Sequence, residues 1–176
     1  GAIAAHVHAI ERHAPLGHAA QKRLAAAGID NVELHVADGT LGWPDAAPFD
    51  AIVVAAGGPS VPEALKGQLE EGGRLVIPVG EDELGQSLRR ITRTGPDSWE
   101  EEDIAAVRFV PLIGAQGWTE TGRRAASGPA PGRDSGQPLP RMIAAAAEPL
   151  PDIEDPAFGA SFDRYADRRV VLLGEA

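Results

Sequence analysis

The sequence predicts an α/β protein built on a doubly wound, mostly parallel sheet with an antiparallel edge. Three observations carry that expectation. Between residues 3 and 79, apolar runs of strand length alternate with helix-like stretches in the order strand, helix, strand, loop, strand, helix, strand. Such alternation is the mark of successive βαβ units. The run DAIVVAA (50–56) is almost unbroken in its apolar character, as expected of a strand covered on both faces. Two more apolar runs, 86–93 and 104–111, have only Gly95-Pro96-Asp97 as a turn between them and no helical stretch. They are expected to pair antiparallel at the edge of the sheet.

The individual elements follow from local chemistry. Residues 3–10 are apolar and end at Glu11. Pro15 suits a first helical turn, where a missing N–H costs nothing. The Ala- and Leu-rich stretch 15–27 forms a helix, and Gly28 supplies its left-handed stop. A short strand is expected over 32–37. Asp38-Gly39 and Gly42-Trp43-Pro44 then mark an irregular loop. A helix over 62–69, closed by Gly72-Gly73, precedes the strand RLVIPV at 74–79.

Composition bounds the function. The chain has 176 residues, 43% of them hydrophobic and 24% charged, enough apolar material for a packed core and too much for global disorder. A net charge of −10 argues against nucleic acid or an anionic membrane surface as a partner. Cysteine is absent, which removes disulfides, thiolate metal sites and thiol nucleophiles. No apolar run approaches the ~20 residues that span a bilayer, and residues 1–12 make a poor signal peptide, so a cytoplasmic location is expected. The one methionine is Met142, and the chain is expected to be a piece of a longer polypeptide that lacks its N-terminal part.

The texture changes along the chain. Residues 1–118 carry the α/β pattern. Residues 119–150 are rich in Gly and Pro and are expected to be a linker. Residues 151–176 regain order signals, with an amphipathic stretch around Phe158, Phe162 and Tyr165 and the strand-like 170–173. They are expected to begin a second domain. No internal repeat is present.

In an open α/β sheet, ligands bind beyond the carboxyl ends of the strands. Three ends can be read: Glu11, Asp38-Gly39, and 55–59. A carboxylate just past a strand suits a ribose diol, because it accepts two hydroxyl hydrogen bonds; Glu11 fits that part. Asp38 suits an exocyclic amine such as that of adenine, and Gly39 allows close approach of the backbone. Ala55, Ala56, Gly57 and Gly58 would leave open space at the third end. Taken singly, Glu11 is equally a solvated strand end and Asp38-Gly39 a plain turn. The G-x-G-x-x-G loop that should precede the acidic residue by about 20 positions is absent. So are a P-loop and a G-x-S-x-G elbow.

The histidines weigh less. His6 and His8 share a strand face, and an H-x-H pair can ligate zinc. No third ligand appears at matching spacing, and His35 lies on another strand, so no metal site is expected. Trp43 and Trp118 read as packing residues.

The order IER (10–12), DGTLGWP (38–44), FDAIVVAA (49–56), PEALKGQLEEGGRLVIPVG (62–80), VRFVPLIG (107–114) and GW (117–118) resembles the protein-L-isoaspartate O-methyltransferases. The resemblance covers about residues 6–118. It implies an incomplete Rossmann-like class I methyltransferase fold and a methyl transfer from S-adenosylmethionine to the carboxylate of isoaspartyl residues in damaged proteins, the first step of their repair. It implies that Glu11 holds the cofactor ribose and that Asp38 and Gly39 flank its adenine. Val107, Arg108, Phe109, Val110 and Pro111 match the segment bordering the peptide cleft. The family's glycine-rich loop and the earlier Ser/Thr segment of the isoaspartyl pocket have no counterpart here. Residues 158–176 are similar to the opening of the erythromycin esterase-like family, with Glu175 as the matching carboxylate; a plain terminal strand is the other reading.

Such chemistry asks little of acid–base groups. The acceptor carboxylate is ionised at neutral pH, with a reference pKa near ~4, and the electrophile has a neutral leaving group. Alignment is the enzyme's main task and can supply ~7–11 kcal/mol. No catalytic residue is therefore assigned, and activity is expected of the complete chain. Two alternatives remain: a non-catalytic protein-binding module that keeps the peptide cleft, and an NAD-dependent oxidoreductase, since Glu11 would also suit an NAD ribose.

Overall fold

The first three elements form one βαβ unit. Strand β1 (His6–Glu11) leads into helix α1 (Ala14–Ala26), and β2 (Val32–Val36) returns parallel to β1, with Val7 opposite Val32 and Glu11 opposite Val36. Pro15 lies in the first turn of α1, and Gly28 (φ 67°) follows its C-cap as expected. Gly28 N–H donates to the Ala25 carbonyl, and Ile29 N–H to that of Leu24, satisfying carbonyls the helix end leaves open. In this computed structural model the described residues are 4–81, 85–120 and 169–173.

Two single 3₁₀ turns, Gly39–Leu41 and Pro44–Ala46, carry the chain to β3 (Phe49–Val54). Helix α2 (Glu63–Gly67) is one turn long, and β4 (Leu69–Val79) pairs parallel with β3. β4 starts five residues earlier than the apolar run at 74–79. Leu69 pairs with Phe49, residues 70–73 bulge out, and pairing resumes at Arg74 opposite Ala51. Gly72 turns this bulge with a φ of 81°, so the Gly72-Gly73 pair bends a strand instead of closing a helix.

β5 (Gln86–Gly95) and β6 (Ser98–Val107) are antiparallel to their neighbours and form the expected edge. β6 starts six residues and ends four residues earlier than the expected 104–111. Its register places Glu101 opposite Ile91, Glu102 opposite Arg90 and Asp103 opposite Arg89. Arg90 pairs with Glu102, and Arg89 Nε lies 3.2 Å from Asp103. Cross-strand charge pairing thus makes a strand of an acidic run that has no apolar pattern to mark it.

The sheet has seven strands in the order β2-β1-β7-β3-β4-β5-β6. β7 (Arg169–Leu173) is parallel to both neighbours, with Val170 opposite Val7 on one side and Ala51 on the other. These five residues complete the same sheet, whereas the sequence pattern set 151–176 apart as a second domain. Linker residues 121–150, residues 151–168 and Glu175 lie outside the described residues.

The winding is double. Leu34 and Val36 face α1, where a Cβ on Gly17 would meet both at 3.0 Å. His35, between them, points to the other face and stacks on Trp43 at 3.7 Å. Trp43 is held from the end of α2 by Gln68, whose Oε1 accepts its N–H at 2.8 Å. The core gathers around β3, β4 and β5: Phe49, Ile52, Leu65, Leu69, Leu75, Ile77 and Ile91 are fully buried.

Candidate functional site

The parallel strands end along one edge of the sheet, and there the chain builds its loops. Connections run outward from β1 to β2 and, in the opposite sense, from β3 to β4. The carboxyl ends of β1, β7 and β3 therefore flank the switch point at which open α/β sheets bind ligands.

Glu11 is the last residue of β1. Its Oε1 accepts the His13 backbone N–H at 2.8 Å, satisfying the N-cap donor of α1, whose own cap residue makes no side-chain bond. Among the described residues no hydrogen bond reaches its other oxygen, and the side chain is half-buried. Its backbone carbonyl accepts from Ala37 N–H at 3.1 Å, so the ends of β1 and β2 lie side by side. Asp38 stands two residues beyond the register partner of Glu11. The two acidic residues expected to share a crevice thus leave adjacent strand ends.

Asp38 has a second occupation that its sequence context does not announce. Its Oδ1 accepts from Thr40 N–H (2.9 Å) and Thr40 Oγ (2.7 Å), and its Oδ2 from Ala115 N–H at 2.7 Å. The carboxylate caps the 39–41 turn and ties it to the loop at 114–116. Gly114 is required for this approach, because a Cβ there would overlap the Asp38 carboxylate. One lone pair on Oδ2 remains from an inventory of about four. Thr40 is fully buried, and its hydroxyl oxygen accepts from Gln116 N–H at 3.1 Å. Gly39, first residue of the turn, is half-buried.

Between these loops lies a cleft of about 360 Å³ lined by Arg12, Val36, Ala37, Asp38, Ile113 and Gly114. Val36 is 45% exposed, an apolar surface of the kind a planar base covers. Arg12 donates to Glu120 across its rim at 2.9 Å.

The third strand end is filled, not open. Gly57 N–H donates to the Val110 carbonyl (2.7 Å), its own carbonyl accepts from Leu112 N–H (2.8 Å), and Trp118 Nε1 donates to that same oxygen (3.0 Å). Gly58 is bonded on its other side to Pro78 and Gly80. The small residues make room for backbone: a Cβ on Gly57 would overlap the Gln86 side-chain amide.

Of the five residues expected at the peptide cleft, Val107 ends β6 and the next four lead to the bridge between Pro111 and Gly57. Gln86 pins this run by accepting from Phe109 N–H at 2.7 Å and donating to its carbonyl at 3.2 Å. Arg108 and Val110 are exposed, Val107 and Phe109 half-buried, and Pro111 is buried. The first four thus offer accessible surface, whereas Pro111 is buried.

Sequence reasoning missed the two buried glutamines that hold these loops. Gln68 Nε2 donates to the Leu41 carbonyl at 2.8 Å while its Oε1 holds Trp43; Gln86 clamps Phe109. Their only sequence signal is a polar residue at the border of an apolar run. Nor did it join His6, His8, Glu33 and His35, which the β1–β2 register brings onto one face. Trp43 packs against the core as expected, and Trp118 donates to the Gly57 carbonyl.

Comparison with known proteins gives these features a context. The family model for protein-L-isoaspartate(D-aspartate) O-methyltransferase (PCMT) matches residues 3–117. A protein-L-isoaspartate O-methyltransferase of Rhodopseudomonas palustris is 57% identical over 120 residues, which is 68% of this chain and 55% of that protein. One from Methylorubrum populi is 59% identical over 111 residues, 63% of this chain and 51% of its own. The chain spans about half the length of these curated relatives. Among solved structures, a Plasmodium falciparum PCMT in complex with S-adenosyl-L-homocysteine matches with a TM-score of 0.53 and 27% identity, covering 61% of this chain and 52% of that one. With a family model over residues 3–117 and a sheet of the Rossmann-like methyltransferase kind, the chain belongs to the protein-L-isoaspartate O-methyltransferase family.

Proposed function

We propose that the protein containing this chain transfers a methyl group from S-adenosylmethionine to the carboxylate of isoaspartyl residues in damaged proteins, and that this chain supplies one wall of the nucleoside crevice and the border of the peptide cleft. The carrying observation is the pair of adjacent strand ends, Glu11 and the 36–38 loop, beside the switch point of the sheet. Membership in the family supports this chemistry. A cytoplasmic location belongs to the same proposal; among the described residues no helix is long and apolar enough to cross a membrane.

The residues fit the nucleoside unequally. Glu11 retains a carboxylate oxygen for the ribose diol. Asp38 is committed to three protein donors, so its contribution toward adenine is mainly to hold the 114–116 loop against the cleft. Val36 and Ile113 exclude water from its walls, and Gly39 lets the backbone approach. S-adenosylmethionine, when bound, supplies an activated methyl group on a sulfonium. An isoaspartyl carboxylate is ionised at neutral pH, so this chain need hold no base; Val107, Arg108, Phe109 and Val110 would line the peptide's path.

The test uses the full-length protein. Glu11→Ala is expected to weaken S-adenosylhomocysteine binding by about 1–3 kcal/mol, the scale of lost hydrogen bonds to a charged group, by calorimetry. An unchanged dissociation constant removes Glu11 from the site. Methylation should distinguish an isoaspartyl peptide from its aspartyl isomer, and equal rates on both would overturn the substrate assignment.

A further inference from the structure

The face of the β1–β2 pair opposite α1 carries an unusual set of side chains. His6 and His8 alternate along β1. The parallel register sets Glu33 opposite His8 and His35 opposite Ile10, so all four groups share one face. One ligating atom from each of His6, His8 and Glu33 falls within 4.8 Å of the others. His8 Nδ1 lies 3.0 Å from His35 Nε2 and 3.8 Å from Glu33 Oε2. His6 Nε2 is 3.7 Å from Glu33 Oε2, and His35 Nε2 is 3.8 Å from Glu33 Oε1.

These separations have a chemical meaning. Four ligands at bond lengths of about 2.0–2.1 Å around a tetrahedral zinc stand about 3.3–3.4 Å from one another. His6 Nε2 and His8 Nδ1 stand 3.7 and 3.8 Å from the same Glu33 oxygen, close to that edge, while His35 Nε2 approaches His8 Nδ1 and the other Glu33 oxygen at 3.0 and 3.8 Å. Imidazole nitrogens with one carboxylate are the donor set of borderline divalent ions such as zinc, cobalt and nickel. The rings are also held. His35 stacks on Trp43 at 3.7 Å, and Phe49 sets its ring edge-on to His8 at 5.8 Å. The side chains of His8 and His35 are 9% exposed, against 41% for His6 and 57% for Glu33. The cluster therefore has an orienting inner wall and a solvent-open side through which an ion can enter.

We propose that His6, His8 and Glu33 form a binding site for a borderline divalent transition-metal ion that clips β1 to β2, with His35 holding His8 and Glu33 from the inner side and water completing the coordination. The site is separate from the strand-end crevice and does not rest on the methyl-transfer reading. The competing account is a plain hydrogen bond between two imidazoles beside a carboxylate, and the two accounts separate on addition of metal.

The experiment titrates Co²⁺ into the untagged full chain and follows the visible ligand-field bands. One Co²⁺ per chain, with the intense bands of four-coordinate cobalt bleached by one equivalent of Zn²⁺, is expected. His6→Ala with Glu33→Gln should weaken the affinity by more than the about 10–100-fold that loss of a group merely supporting a ligand costs. Both positions are solvent-open, so these changes leave the core intact, and circular dichroism checks that they do. His18→Ala, on the exposed side of α1, should leave the titration unchanged. Absent bands, faint six-coordinate bands, or equal affinity in the double variant and the parent would each overturn the site.

Discussion

The two ends of the sheet are held together by different means. From β3 to β5 cohesion is apolar: Phe49, Ile52, Leu65, Leu69, Leu75, Ile77 and Ile91 have no exposed surface. At β1 and β2 the apolar contribution is thin. Ile10 is the one residue of that pair in the main cluster. Helix α1 buries only Gly17, and Leu16 on it is 41% exposed. What binds this end is polar or aromatic: the His8–His35 contact, the stack on Trp43, and the Asp38 clamp on residues 40 and 115. The lesson is a division of labour. The well-packed end fixes the frame, and the strand ends that line the crevice belong to the end with less buried surface, as binding regions commonly do.

That contrast can be broken by mutation. The largest loss is expected from Phe49→Ala, about 3–5 kcal/mol by urea titration, since a large side chain leaves a cavity in the packed end. A loss below about 1 kcal/mol, the scale of an ordinary surface change, would mean that β3 is not the centre of the frame. Gln68→Ala comes next, at about 1–3 kcal/mol, because it strands Trp43 N–H and the Leu41 carbonyl in a partly buried place. Arg90→Ala should cost no more than about 1 kcal/mol, and salt should erase the difference, since its pair with Glu102 is exposed. Leu16→Ala should fall within about 0.5 kcal/mol, as for an exposed helix position. Hydrogen exchange gives the sharpest form of the comparison: amides of α1 and β2 should exchange before those of β3 to β5, and the reverse order would invert the assignment.

Much of the fold was legible in the residues, for physical reasons. Alternation of apolar runs placed β1, α1, β2, β3 and the β5–β6 edge, because hydropathy reports which segments are covered. It missed the start of β6 by six residues because Glu101, Glu102 and Asp103 pair with arginines across the strand, and no single segment reveals its partner. It missed the 70–73 bulge for the same reason. The strand ends at Glu11 and Asp38 were readable as positions. The clamp that commits Asp38 to Ala115 was not, since it joins residues 77 apart. The four-residue cluster at His6, His8, Glu33 and His35 was hidden by register: two short-spaced residues on one strand gain their partners only when the second strand lies alongside.

The central position of β7 constrains how the molecule is made. A ribosome delivers β1 and β3 long before residues 169–173, and until those emerge the facing edges of both strands lack the partner that finally pairs with them. Unpaired strand edges are templates for foreign strands, and parallel pairing across so long a separation is slow. Until residues 169–173 pair, nothing joins β1 to β3 in the sheet order described here.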